Sequence, residues 1–516
     1  MKSIITFLLS MCAVGISHAG VFDQEDLSQA YAYLNQIRVR AGMTEFSQNP
    51  QLETAAFNHA NYLADNFLTG HYESEGSPGF TGVSPKERTI FAGYHSSLIS
   101  ENISYYNEEK SSIVSINNLM GAIYHRLAFL DFVNNEVGIG IAHMSGYSVH
   151  VYNMGNSEYN ALCQEPSFSG AGSFYSDVCE PNIKIEANDF ENVAFTARGN
   201  NPNIVLWPAD GDNEVPPAFF EENPDPLPDY SVSGYPISIQ FNPLVFSEEI
   251  NVSEFKLYRE QDDSEIQATR LLSKSTDPNG RFSAFEYVLF PLERLEWDTA
   301  YRVEAKYSSN LGTKALKWHF KTRSLGVPLF SVQGEDEVIE ISPNSSAFAV
   351  YVPPTSDFPN IGNYSFSSDM AVDVGFEDAN TLRINLSGQV GQEASFSFSG
   401  GRRFVVRIVD NCEVASLSSD FKVHIPRLVY TLGETELVFE ADLAFVGGNL
   451  LFKVSNYSIK NNAEACESAS LSSDLKLHIP TLVYTPSPGE LPLVLWADFE
   501  LFGDDLQFQV TNYGFK

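Results

Sequence analysis

The side chains suited to proton transfer or metal ligation fall at a few marked places in this chain. The stretch TGHYESEGSPGFTG, residues 69–82, sets His71, Glu73 and Glu75 directly after a helix-like run and then breaks helical structure at Gly76, Pro78 and Gly79. Glu101 follows in SENIS, and His125 lies in LMGAIYHR. Taken singly, His71 reads as a cation near a helix C-terminus and Glu101 as a surface carboxylate. His125 says more. A helix wound at about 100° per residue from Ser112 to Asp131 puts Ile113, Ile116, Met120, Ile123, Leu127 and Leu130 on one stripe, and His125 nearly opposite with Asn118 and Gly121. Gly121 costs a helix about 1 kcal/mol relative to alanine, and the room it leaves beside the imidazole points to a cleft. His59, beside the apolar face of the preceding helix, reads as a packed structural histidine.

The elements that must hold these residues run helix, helix, irregular stretch, helix, strand, strand over Leu27 to Asn156. Leu27, Ala30, Tyr31, Leu34 and Ile37 recur at helical spacing, with Gly42 where a C-cap belongs. Pro50 opens a second helix carrying Leu52, Ala56, Ala60 and Leu63 on one face. Val137, Ile139 and Ile141, then Val149 and Val151, alternate around a hairpin at Ser145-Gly146. This part is α+β.

The blocks GHYESEGSPGFTG, SENISYY, LMGAIYHR and NEVGIGI, in that order and at compatible spacing, resemble the CAP superfamily (cysteine-rich secretory, antigen 5 and pathogenesis-related 1 proteins, also called SCP domains) in its cysteine-free bacterial branch. The resemblance covers residues 27–156 and implies an α-β-α sandwich. In that family two histidines and two acidic residues line a central cleft able to hold a divalent metal. Residue by residue, the resemblance implies His71, His125 and Glu101 as the metal set. The second acid, normally on the helix before the last histidine, is absent from SINNLMGAIYHR, which leaves Glu73 or a water for the fourth position. Two neutral imidazoles and one carboxylate suit Zn²⁺ better than Ca²⁺, which prefers oxygen ligands. The family implies a binding or interaction role of varied activity, with lipid binding and proteolysis proposed for some members. H-E-x-x-H and G-x-S-x-G are absent, and so is a cysteine nucleophile in this part of the chain.

Beyond residue 156 the helical period disappears. The reading is a leader at 1–19 with a small-x-small cleavage site, the CAP-like domain at 20–156, and an extended, Pro-rich acidic linker with a cysteine pair at 157–228. An immunoglobulin-like β-sandwich follows at 229–324, with Leu295, Thr299 and Tyr301 in a tyrosine-corner arrangement, and then a second β-rich domain at 325–410. Residues 411–516 are a duplication: CEVASLSSDFKVHIPRLVYT from Cys412 returns as CESASLSSDLKLHIPTLVYT from Cys466, a period of 54 residues. His424 and His478 sit on the opposite strand face from the apolar residues and read as solvated.

With 31 basic against 66 acidic residues and a net charge of −35, the chain repels nucleic acid. No segment after the leader approaches the roughly 20 apolar residues that a spanning helix needs. Cys163 with Cys179 and Cys412 with Cys466 are the expected disulfides of an oxidising compartment. The expectation is therefore a secreted or periplasmic protein without evident enzymatic activity. Its cleft would bind a metal or small ligand, a lipid or a surface component, with the β modules presenting it. A metal-dependent hydrolase and an adhesin acting through the C-terminal repeats are the alternatives.

Overall fold

The computed structural model describes residues 24–515 apart from 145, 249, 333, 335, 342–346, 356–359, 363, 399–401, 410–414, 418–421, 433–434, 448–450, 461–468, 472–475, 485–492 and 503–506. The leader, Cys412 and Cys466 lie outside the described residues. The chain divides into two compact units at Leu325/Gly326.

The first unit begins with α1 (Gln24–Arg40), which buries Leu27, Ala30, Tyr31, Leu34 and Ile37. Gly42 follows in the left-handed region at φ 77°. After β1 (Ser47–Gln48), the Asn49 side chain accepts from the N–H groups of Gln51 and Leu52 and so starts α2 (Pro50–Asn66). A capping box between Ser84 and Glu87 starts α3 (Pro85–Phe91). There follow β2 (Ser100–Tyr106), α4 (Ser112–Gly121), α5 (Ile123–Phe129), β3 (Glu136–Met144) and β4 (Tyr147–Gly155). The sheet runs β1-β3-β4-β2, with β1 parallel to β3 and the other pairs antiparallel. That order makes β2 an edge strand.

Alternation along β3 builds the three layers. Val137, Ile139 and Ile141 join the apolar cluster of α1 and α4 on one face. On the other face Gly138 and Gly140 let α2 lie directly on the strand. A Cβ at Gly138 would meet Glu53 N at 2.0 Å, and one at Gly140 would meet Ala56 C at 2.2 Å.

Two local expectations change. The stretch read as irregular holds α3 and β2, so Glu101 stands on a strand. The third helix is not continuous: Ala122 at φ −79°, ψ 114° separates α4 from α5. Beside the break lies Arg126, fully buried, whose guanidinium donates 2.7 Å hydrogen bonds to the carbonyls of Met120 and Pro236. At the break the Met120 carbonyl accepts from Arg126 and from the Tyr235 hydroxyl at 3.0 Å, and the turn carrying His125 is re-aimed.

The supposed linker is folded. Residues 157–199 form α6 (Ser157–Leu162), the Cys163–Cys179 disulfide with Cα atoms 5.4 Å apart, and α7 (Ala187–Gly199). Ile204–Trp207 then pairs with Ile237–Phe241, and Asp212–Val215 pairs with Gly312–Thr322, so this segment contributes a strand to each sheet of the following sandwich. Tyr301 hydroxyl accepts from Glu296 N–H at 3.0 Å, the contact of a tyrosine corner. Leu34 and Ile37 of α1 share one buried cluster with Trp207, Tyr235 and Ile239 of the sandwich. The sandwich therefore shares its core with the α+β domain instead of hanging from it.

In the second unit, strands between Leu329 and Ile408 form two four-stranded sheets around Phe348, Val350, Ile384, Phe396 and Phe404. The duplicated segment forms an eight-stranded sheet whose ends meet. The short strands Ala415–Leu417 and Ala469–Leu471 each pair with both Lys422–Leu432 and Lys476–Tyr484, closing a barrel over Val423, Ile425, Leu477, Ile479 and Phe499. His424 pairs with Asp442 and His478 with Asp498, each at 2.6 Å on a partly exposed face.

Candidate functional site

Edge strand β2 draws the two histidines together from different layers. His71 follows α2, and His125 lies on α5 across the sheet. Glu101 and Asn102, adjacent on β2, project to opposite faces. Glu101 Oε1 lies 3.0 Å from His71 Nδ1, and Asn102 donates to the His125 carbonyl at 2.8 Å. His71, Glu101, Asn102 and His125 all line one cleft of about 490 Å³, together with Tyr72, Lys86, Tyr124, Asn223 and Arg281.

Behind His71 is a chain of buried charges. Arg88 of α3, fully buried, donates through Nη2 to Glu101 Oε1 at 2.8 Å and Oε2 at 2.7 Å, and through Nη1 to the His71 carbonyl at 3.0 Å. The Asn153 amide, turned nitrogen-inward as its neighbours require, donates to Glu101 Oε2 at 3.0 Å. Burial alone would raise the Glu101 pKa, but the His71 hydrogen bond and the Arg88 charge outweigh it and hold the carboxylate below its ordinary value of 4.5.

His125 has a carboxylate of its own. Its Nδ1 lies 3.0 Å from Glu222 Oε1, and Glu222 also accepts the Tyr124 N–H at 3.0 Å. Ala122 offers no side-chain cap to α5, so Glu222 both satisfies a first-turn N–H and orients the imidazole. Both carboxylates are 1% exposed, whereas His71 is 40% and His125 17% exposed. Each histidine thus spends Nδ1 on a buried carboxylate and keeps Nε2 for the cleft.

The four sequence candidates divide. His71, Glu101 and His125 share the cleft, while Glu73 does not line it. The Glu73 side chain is fully buried, 2.9 Å from His59 Nδ1, and accepts the Thr81 N–H at 2.7 Å. It is the partner of the structural His59. The implied metal set does not fit either. Glu101 has both oxygens engaged and a guanidinium in direct contact, a poor neighbour for a cation. Among the described residues no group of three or more His, Cys, Asp or Glu side chains is placed to hold a metal ion. Glu101 acts here as an orienting carboxylate, not as a ligand.

Residues 31–157 match the profile of the Cysteine-rich secretory protein family, CAP. This part of the chain is a CAP domain. Similar solved structures include an outer surface protein of Borrelia burgdorferi, at 16% identity over 26% of this chain and 93% of that one, TM-score 0.23. An extracellular SCP-domain protein of Bacillus anthracis matches at 19% identity over 25% of this chain and 40% of that one, TM-score 0.21. A cysteine-rich secretory protein of Staphylococcus aureus matches at 17% over 26% and 41%, TM-score 0.17. No curated protein matches the chain.

Glu222 and Arg281 lie outside the matched CAP residues, so no family motif announces them. The available signal for Glu222 was negative: no carboxylate precedes His125, and a histidine beside a cleft needs an orienting partner. Arg88 had a positive one, since Ser84-Pro85-Lys86-Glu87 is a capping-box pattern that starts a helix just before it. The loop carrying Arg281 is fixed to the CAP domain through Tyr124, whose hydroxyl donates to Asp277 and accepts from Asn279 Nδ2 at 3.0 Å. Burial and then the Asp277 hydrogen bond raise the Tyr124 pKa, keeping that donor protonated.

Proposed function

We propose that this is an exported CAP-domain protein that binds a small ligand in the cleft between His71 and His125 without turning it over. The observation that carries this reading is the pair of imidazoles, far apart in sequence, lining one cleft with Nδ1 on a buried carboxylate in each. Such histidines present a fixed acceptor or donor to a ligand at little cost in side-chain ordering. Among the described residues no helix is long and apolar enough to cross a membrane, and the charge balance fits an extracellular or periplasmic setting.

Hydrolysis is the second reading, because a histidine held by a carboxylate is also a general base. Against it, among the described residues no hydrogen bond joins Ser84 or Ser97, the serines of the cleft wall, to either imidazole. Ser84 Oγ accepts the Glu87 N–H as a helix cap, and Ser97 Oγ donates to the Asp177 carbonyl at 2.8 Å.

The test is a thermal-shift screen of the mature chain against muropeptides, fatty acids and organic acids, with products followed by mass spectrometry. A bound compound lost in both His71→Ala and His125→Ala supports the cleft. Undiminished binding in both variants sinks it, and turnover abolished by Glu101→Gln promotes the hydrolase.

A further inference from the structure

The charges that face the cleft point to the ligand's chemistry. Its wall holds two full cations, Lys86 and Arg281, besides the two imidazoles. Glu101 is the one carboxylate among the lining residues, and Arg88 already neutralises it. Lys86 is held in place by donating to the Asp177 carbonyl at 3.2 Å. Arg281 is exposed, and no ion pair or side-chain hydrogen bond engages its guanidinium among the described residues. In a chain of net charge −35, the charged side chains that face this cleft are mainly cationic, the Glu222 carboxylate lying 1% exposed behind His125. A partly enclosed wall whose free charges are Lys86 and Arg281 concentrates anions from solution.

Two aromatic rings flank these cations. Tyr72 is 71% exposed at the cleft, and Tyr124, next to His125 in the chain, also lines it. They offer an uncharged surface for the body of a ligand whose charged group is held elsewhere.

Resting on the cleft reading above, we propose that the β-sandwich completes this site, and that Arg281 with Lys86 selects an organic anion bearing a carboxylate, its body lying on Tyr72. A guanidinium matches a carboxylate in two parallel hydrogen bonds, which makes Arg281 the specificity-determining residue.

The experiment is calorimetry of the mature full chain with glucuronate, with glucose as the neutral match and inorganic phosphate as a bare anion. Glucuronate is expected to bind, glucose at least about tenfold more weakly, and Arg281→Gln to lower glucuronate affinity about tenfold. Lys86→Gln should weaken it to a smaller extent, and Arg270→Gln, outside the cleft, should not. Equal affinity for glucuronate and glucose, phosphate binding as tight as glucuronate, or an Arg281→Gln variant indistinguishable from the parent would overturn the proposal. If glucuronate fails but a neutral compound binds with His71 and His125 dependence, the anion proposal falls and the cleft reading stands. If glucuronate binding survives both histidine substitutions, the cleft reading falls, and this inference with it.

Discussion

Glu222 reaches His125 from outside the CAP domain, its Oε1 lying 3.0 Å both from the imidazole Nδ1 and from the Tyr124 N–H. One carboxylate therefore caps α5 and fixes the tautomer of the histidine that α5 carries. Glu222→Ala is expected to destabilise the first unit by about 1–3 kcal/mol, the cost of an unsatisfied buried donor. It should also weaken cleft ligands, while Glu222→Gln keeps the cap and loses the charge. Urea unfolding followed by tryptophan fluorescence, with ligand calorimetry, checks both.

Arg88 stands between Glu101 and Glu73, 2.7 Å from the first and 3.7 Å from the second. Replacing it with methionine leaves two buried carboxylates without their cation. A loss of about 3–5 kcal/mol is expected, larger than for any single cleft residue, and denaturant midpoints test it.

Gly140 admits no side chain, because its Cβ would sit 2.2 Å from backbone atoms of α2. Gly140→Ala must push α2 off the sheet at a cost of about 3 kcal/mol or more. A substitution at Gly146, where a Cβ meets nothing within 4 Å but φ is 82°, should cost less. Thermal melts of the two variants give the comparison.

His150 on β4 is fully buried among Asp26, His143 and Tyr106, and beyond a loose approach to the Lys110 backbone its ring nitrogens lack aligned partners among the described residues. Burial, opposed by the Asp26 charge, lowers its pKa from 6.5 to about 4. A folded-state pKa below the unfolded one means that the unfolded chain takes up the proton first. Stability is then fully present above about pH 6.5 and declines as pH falls toward 4, by up to about 3 kcal/mol. Replacement of His150 by leucine should flatten that slope in melts between pH 7 and 4; an unchanged slope would refute the assignment.

Zinc should not stabilise this protein appreciably, since Glu101 already has its oxygens on Arg88 and His71. Addition of Zn²⁺ to the mature chain is expected to leave its melting temperature unchanged. A rise of several degrees abolished by His71→Ala and by His125→Ala would show that the imidazoles recruit the metal without Glu101.

The sequence by itself determined the local elements wherever chemistry and period agree over a short span. Examples are the stripe from Leu27 to Ile37, the proline at the start of α2, the β3–β4 alternation, the 54-residue duplication and the order of the CAP motifs. It also marked His71, Glu101 and His125, because their motifs are contiguous. What only the tertiary structure decided are the partners that come from far along the chain. Glu222 pairs with a histidine 97 residues away, and Arg126 reaches a carbonyl 110 residues away beside the break at Ala122 in a helix that periodicity draws as continuous. Residues 157–228 read as an acidic, Pro-rich connector because their strands are short and find their neighbours elsewhere. Strand pairing and the satisfaction of buried charge depend on what the rest of the chain brings alongside, and no local pattern encodes that.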